Sequence, residues 1–375
     1  MRVALVNKLF YPSVGGIERH VQLLAEFLPR VNPNCAVEVL VGQETYSRYR
    51  EEAFGDAVVR RAATIARIAS TPISPGLYGA LRNSDAEIFH FHFPYPWIET
   101  FVAIGGIKRP YVVTYHSDIV RQKKLLSLYR PFLQKFLRGA ARIIVWSPNL
   151  ARNSEFLRPY LDKIEIIPGG IDTNRFLAEE GGRIESLRTS FGADLPLILF
   201  VGRFVYYKGL DVLLNALVDV RARLVLVGGG PLEEALRLQA ISNGISNRVH
   251  FVGPVSEEEL PYFYAACDVF VLPSTEPSEA FGLVQLEAHA SARPVISTSL
   301  PTGVPFVNEH GKTGLIVPPN DVKKLACALN DLVDNEPLRK VLGQRARERV
   351  QREFDIRRIC SKVVSLYERV LMEQP

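Results

Sequence analysis

"DVFVLPSTEPSEAFGLVQLEAHA", residues 268–290, holds one complete strand–loop–helix unit. "DVFVLPS" has the β-branched, apolar make-up of a buried strand, "TEPSEAFG" is rich in turn formers, and "LVQLEAHA" is a helical run. A strand apolar on both faces belongs in a parallel sheet covered on both sides, and the helix that follows is the crossover such a sheet requires. The unit recurs outward in both directions. The second half adds "LILFVGR", "RLVLVGGG", "RVHFVGP", "PVISTS" and "GLIVPP". The first half offers "RVALVN", "VEVLVG", "AEIFHFHF", "YVVTYHS", "ARIIVWS" and "KIEIIPGG", with helical patterns such as "IERHVQLLAEFL" between them. The pattern therefore predicts an α/β protein of two doubly wound domains with six strands in each half.

Length agrees with two domains, since 375 residues exceed one ordinary core. Periodicity fades in the polar, Gly-rich stretch 177–185, which sets the expected domains at 1–176 and 177–356. The helical run "RRICSKVVSLYERVLME" then crosses back, so that 357–375 joins the first domain. Hydrophobic content of 47% with 23% charged residues marks a globular chain, not a disordered one. The four cysteines are scattered with no Cys-x-x-Cys pair, which suggests neither a disulfide framework nor a zinc cluster and suits a reducing cytoplasm. No run reaches the length of a membrane span or a signal-peptide core, so a cytoplasmic protein is expected. A net charge of +5 is too mild to indicate nucleic acid but suits anionic small molecules or anionic lipid.

Ligands of open parallel sheets bind beyond the carboxyl ends of the strands, which places the expected site in a cleft between the two domains. Glu279 falls on the loop after the "DVFVLPS" strand and Glu287 one turn inside the next helix. The N–H groups of Phe281, Gly282 and Leu283 at that helix start suit a phosphate. Carboxylates would repel the phosphate itself. They fit as acceptors for hydroxyls on either side of it, a sugar at Glu279 and a ribose at Glu287, which is the shape of a nucleotide diphosphate sugar. The plainer alternative is a dipole-complementing Glu279 with a solvated Glu287. "FVGRFVYYKGLDVLLNAL" puts Arg203 at a strand end and Lys208 at the next helix start. A planar fork and a mobile point charge suit a leaving diphosphate, although both also read as surface cations. Gly229 and Gly230 in "LVLVGGGP" lack the full G-x-G-x-x-G spacing and mark a strand-to-helix turn beside the site. Gly16, with Gly15, opens the first helix and allows close approach of a phosphate, or serves only as a tight turn. His116 ends a first-half strand and faces the cleft or packs there. His90 and His92 share a strand face without a third metal ligand and read as structural, lining the acceptor side.

Taken in order, "PSVGGIERHV", "YHSD", "IIPGGID", "GRFVYYKG", "LVGGGP" and "SEAFGLVQLEA" resemble glycosyltransferase family 4, whose members are retaining enzymes with the GT-B fold, two Rossmann-like domains facing a central cleft. The likeness spans nearly the whole chain. It implies that Glu279 meets donor-sugar hydroxyls, Glu287 the ribose, Arg203 and Lys208 the diphosphate, and His116 the sugar near the reacting centre. Three positions depart from the pattern: Gly169 stands for a common Asn, Ser117 for a frequent second His, and "ASARP" for Cys-Gly-Lys-Pro. The chain contains no Asp-x-Asp, so no metal and no other cofactor is expected, and Arg203 and Lys208 take the metal's role. "RFVYYKGLD" and "TGVPFVNEHGKTGLIVPP" look most like mannosyl- and rhamnosyltransferases of bacterial surface polysaccharides, favouring GDP-mannose or a related GDP-sugar over a UDP-sugar. The expected partners are that donor and a glycan or lipid-linked acceptor. Competing readings are a nucleotide-sugar epimerase, which lacks a placeable acid and base, a pyridoxal-phosphate phosphorylase, which lacks a cofactor lysine, and a binding protein without turnover. A dehydrogenase lacks its fingerprint.

One segment stands apart. In 121–142 the residues Leu125, Leu126, Tyr129, Phe132, Leu133, Phe136 and Leu137 follow helical spacing, while Arg121, Lys123, Lys124, Arg130, Lys135 and Arg138 fill the rest with no acid among them. Pro131 is expected to start or kink a helix, giving two short pieces. The basic face either is solvated or docks on an anionic membrane surface.

Overall fold

Every β-rich run named above forms a strand. The computed structural model describes residues 1–13, 15–44, 48–68, 71–119, 123–177, 181–192 and 194–373. By contacts the chain divides into a first unit, Met1–Gly170 with Ile356–Pro375, and a second, Ile171–Asp355. Residues 178–180, inside the stretch where the boundary was expected, lie outside the described residues. The observed division falls a little earlier because residues 171–176 bond within the second unit. Ile171 N–H donates to the Phe354 carbonyl at 3.0 Å, Thr173 to Asp355 Oδ2 at 2.6 Å, and the Phe176 ring packs edge-on to Tyr264.

The first unit carries β1 (Arg2–Asn7), β2 (Ala36–Val41), β3 (Arg50–Phe54), β4 (Ala57–Arg61), β5 (Ala66–Ile68), β6 (Thr71–Ile73), β7 (Ile88–Phe93), β8 (Tyr111–Tyr115), β9 (Arg142–Val145) and β10 (Ile164–Ile166). Eight of them form one sheet in the order β10-β9-β8-β7-β1-β2-β4-β3, parallel except for the edge strand β3, while β5 and β6 pair separately. Alternate residues serve opposite faces. Val3, Leu5, Val37, Val39 and Ile88 enter one core with the helices Gly16–Val31 and Ile356–Met372. Ala4, Val6, Phe89, Phe91 and Phe93 enter another with Leu133, Phe136 and Leu137 of the helix Lys123–Gly139. Two covered faces make the unit doubly wound. The order turns between β1 and β7, which is the topological switch point.

The second unit carries β11 (Leu197–Val201), β12 (Arg223–Val227), β13 (Val249–Gly253), β14 (Val269–Leu272), β15 (Val295–Thr298) and β16 (Gly314–Val317). Their order, β13-β12-β11-β14-β15-β16, is all parallel and turns between β11 and β14.

Two features differ from the sequence reading. Strands β3 to β6 were not expected, because "REEAF" and "AVVRR" carry charges on a solvated edge and β5 and β6 have three residues each. Helix Lys123–Gly139 also runs through Pro131 as one piece. Pro131 and Ser127 lie on its exposed side, where the Ser127 carbonyl left without its helical donor is open to solvent. Arg121 and the side chains of Lys123, Lys124 and Leu125 lie outside the described residues.

Candidate active site

At the second unit's switch point the loops after β11 and β14 run side by side. Gly209 adopts φ +66°, and a Cβ there would stand 2.1 Å from the Pro273 carbonyl, so only glycine permits this approach. Thr275 N–H donates to the Tyr207 carbonyl at 2.8 Å, and the Tyr206 and Ser278 hydroxyls meet at 3.1 Å. This lacing brings two predicted residues together across 71 positions of sequence: Lys208 Nζ donates to Glu279 Oε2 at 2.5 Å. Ser274 Oγ donates to the same oxygen at 3.1 Å, and both charged side chains are about nine-tenths buried. Removing two charges from water is costly, and close geometry with an added hydroxyl offsets it. Arg203 is exposed and makes no ion pair among the described residues, so it does not share Lys208's anion.

Helix Leu283–Ala290 starts from Gly282 at φ +75°, and no side chain caps it. Gln285 N–H donates to the Gly282 carbonyl at 2.9 Å, and the N–H groups of Leu283 and Val284 have no side-chain cap. Phe281 is buried beside Phe306 and Phe354 and anchors the turn. Glu279 bonds Lys208 and does not cap the helix; Glu287 is not solvated. It is partly buried and accepts from the Tyr264 hydroxyl at 2.6 Å. Burial pushes its carboxyl up to about 7, with the Tyr264 bond pulling the other way.

The glycine triplet divides in use. A Cβ on Gly228 would lie 2.1 Å from the Gly202 carbonyl, and one on Gly230 would lie 2.6 Å from that of Phe204. On Gly229 it would meet only Glu233 Oε2 at 3.6 Å, an ordinary contact. Packing therefore explains two of these glycines and leaves Gly229 unexplained.

In the first unit, Gly16 opens the helix after β1, and one turn later His20 turns inward. His92 is the last residue but one of β7 and His116 follows β8, so the three imidazoles converge near the switch point with ring centroids 5.4 to 5.8 Å apart. His92 Nδ1 and His116 Nε2 share a hydrogen bond at 3.1 Å, and Trp146 packs edge-on to both His20 and His116. His90, stacked on His92, bonds the Tyr367 hydroxyl through Nδ1 and the Thr114 hydroxyl through Nε2, each at 2.6 Å. Burial lowers His20 and His90 to about 3 and holds His92 and His116 well below the usual imidazole range. All four are neutral at physiological pH. His90 is thus fully bonded, joining two strands to the last helix. His20 and Trp146 had no sequence signal beyond helix and strand-end position, and Tyr264 and Ser274 had none.

Residues 14–175 match Glycosyltransferase Family 4, and residues 185–349 match Glycosyl transferases group 1. The chain is 36% identical to the O-antigen chain mannosyltransferase C of Escherichia coli over 99% of each chain. This chain belongs to glycosyltransferase family 4. The D-rhamnosyltransferase WbpZ of Pseudomonas aeruginosa is 37% identical over 80% of this chain and 79% of its own. Among solved structures, sucrose-phosphate synthase from Thermosynechococcus elongatus superposes with a TM-score of 0.82 at 25% identity, covering 100% of each chain. The family 4 assignment makes the chain a GT-B glycosyltransferase, related to mannosyl- and rhamnosyltransferases of surface polysaccharide synthesis. Arg203, Lys208 and Glu279 occupy the loops that follow β11 and β14, and Glu287 the helix Leu283–Ala290, all within the residues that match the group 1 family.

Proposed function

We propose that this glycosyltransferase moves a hexose, mannose or a related sugar, from a GDP-sugar to a hydroxyl of a glycan or lipid-linked acceptor, retaining the anomeric configuration and using no metal. The observation that carries the reading is the buried Lys208–Glu279 pair beside an exposed Arg203 and an uncapped helix N-terminus. The mannosyl- and rhamnosyltransferase relatives support the sugar class.

In transfer, the bond from sugar C1 to the diphosphate breaks, the bond from C1 to the acceptor oxygen forms, and the acceptor proton leaves with the nucleoside diphosphate. Charge grows on the diphosphate as C1 becomes cationic, and preorganised donors lower that barrier. Arg203, Lys208 and the N–H groups at Gly282 and Leu283 fill this role. The diphosphate takes over Lys208's charge, which releases the Glu279 carboxylate to accept from sugar hydroxyls. Glu287 accepts from the ribose, Gly229 leaves space for the donor in the turn that the packing of Gly230 shapes, and Gly16 and His116 act on phosphate and sugar. Retention implies that the acceptor arrives on the face the diphosphate leaves.

The proposal includes reversible attachment of a cytoplasmic protein to the inner face of the membrane. Arg130, Lys135 and Arg138 are exposed on helix Lys123–Gly139, whereas Leu133, Phe136 and Leu137 are fully buried, so packing and a free basic face coexist. Among the described residues no helix is long and apolar enough to cross a membrane.

The test pairs chelator with Arg203→Ala, assayed with GDP-mannose, UDP-glucose and a polysaccharide primer. Transfer should survive chelation, prefer the GDP-sugar, and fall at least about 100-fold in the variant, the scale of losing a charged transition-state contact. Strict metal dependence, or full activity in Arg203→Ala, overturns the reading.

A further inference from the structure

Within the first unit, β6 and the helices Pro96–Ala103 and Lys123–Gly139 border an apolar pocket of about 360 Å³. Ile73, Trp97, Ile119, Leu126, Leu128 and Phe132 build most of its wall. The pocket is open because helix Lys123–Gly139 turns only part of its apolar stripe inward. Leu128 is 77% exposed and Phe132 37%, whereas Leu133 and Phe136 one turn on are fully buried. Ile68, also on the wall, is 59% exposed. Apolar side chains gathered at the lip of an apolar cavity mark a docking surface.

Polar groups nearby do not soften the wall. The Tyr129 hydroxyl donates to the buried Glu99, which also accepts from Tyr95 N–H at 2.5 Å. Burial pushes the Glu99 carboxyl up to about 8, so it holds its proton at neutral pH and lends the pocket no negative charge. The Trp97 indole N–H is buried with no acceptor among the described residues, so the indole offers the pocket its apolar ring. A sugar or nucleotide would leave its many hydroxyls unpaired here.

Charge defines the occupant. Between Asp118 and Glu155 the sequence has no acidic residue, and the pocket's own helix exposes Arg130, Lys135 and Arg138. A hydrocarbon slot on a helix with exposed cations matches a molecule with an apolar tail and an anionic head. We propose that the pocket takes one acyl chain of an anionic bilayer lipid, gripped by Leu128, Phe132 and Trp97, while the helix's cations meet the headgroups. This rests on the membrane part of the proposed function and adds a binding site to it: charge alone would hold the protein on the surface, and the pocket draws a chain out of the bilayer.

The chain's two tryptophans provide the assay, since Trp97 lines the pocket and Trp146 packs among the histidines. The full chain is mixed at low salt with phosphatidylglycerol vesicles whose acyl chains carry bromine at mid-chain, a contact quencher of indole emission. Wild-type emission should be quenched and that of Trp97→Phe, which keeps Trp146, should not. Leu128→Asp with Phe132→Asp should abolish quenching; both sites are exposed, and an unchanged melting curve verifies the fold. Lys135→Glu with Arg138→Glu should weaken vesicle sedimentation by at least roughly 30-fold, at about 1 kcal/mol for each cation lost. Sedimentation without quenching in the wild type, or equal quenching in the Asp variant, overturns the acyl-chain site and leaves the membrane reading intact. No sedimentation at low salt overturns both. Transfer to a soluble acceptor is unchanged in the Asp variant, so this test is independent of the glycosyl-transfer reading.

Discussion

Glu287→Gln sets the stability of the second unit against its use of the donor. The Glu287 carboxyl stands at about 7, against 4.5 for the free side chain, with burial as the main cause. The folded chain therefore holds this proton more tightly than the unfolded one. The associated stability is fully present below pH 4.5 and is lost as pH rises through 7. At about 1.4 kcal/mol per tenfold, the loss is at most about 3 kcal/mol. Gln keeps the shape and an acceptor for the Tyr264 hydroxyl but cannot ionise. The variant should match its parent near pH 4.5 and exceed it at pH 8 by up to about 3 kcal/mol, or roughly 6–12 °C in Tm for a domain of this size. Donor binding should move the other way. A carboxylate titrating near 7 is about one-tenth ionised at pH 6 and nine-tenths at pH 8, so the parent should bind GDP-mannose about tenfold more tightly at the higher pH, while the variant binds weakly with a flat profile. Urea unfolding and titration calorimetry at pH 4.5, 6 and 8 measure both effects. A variant less stable than its parent at pH 8, or retaining the parent's pH-dependent affinity, would refute the assignment.

Three further outcomes are expected. Lys208→Met strands Glu279 without its cation and should cost about 3–5 kcal/mol in urea unfolding, whereas adding Glu279→Leu should recover part of that loss; a single variant as stable as the parent contradicts a buried pair. Gly229→Ala should leave stability within about 1 kcal/mol, because its Cβ meets ordinary contacts, yet weaken GDP-mannose binding at least about tenfold; unchanged affinity removes Gly229 from the donor site. In acid, the neutral imidazoles predict that the first unit keeps its stability above pH 6.5 and loses it progressively as pH falls towards 3, since the unfolded chain takes up protons that His20 and His90 refuse. Trp146 emission followed against pH checks this, and a first unit equally stable at pH 4 and 7 excludes it.

The parallel architecture was legible because strands buried on both faces leave uninterrupted apolar runs, and all twelve expected strands are present. Edge strands such as β3 carry charges to water and so lose that signature. At the site, the types of Arg203, Lys208, Glu279 and Glu287 and their places after strand ends could be read from pattern. Their pairings could not. Lys208 meets Glu279 because β11 and β14 are neighbours in the sheet, a fact of strand order that no local spacing records. Tyr264 reaches Glu287 from another helix, and His20 joins His92 and His116 only once β1, β7 and β8 lie side by side.

The chain enters the second unit at Ile171 and leaves it at Asp355, and these two residues form a β-bridge. The unit is thus an insert whose ends touch, stitched into a host that resumes with Ile356. Domains with adjacent ends are those that tolerate transplantation and circular permutation. A second unit cut at this bridge can be closed on itself with a short linker and produced alone, or exchanged as a cassette for that of a relative. Such chimeras would report whether the choice of donor travels with this unit while the host stays as it is, with both splice points lying within one pair of bonded residues.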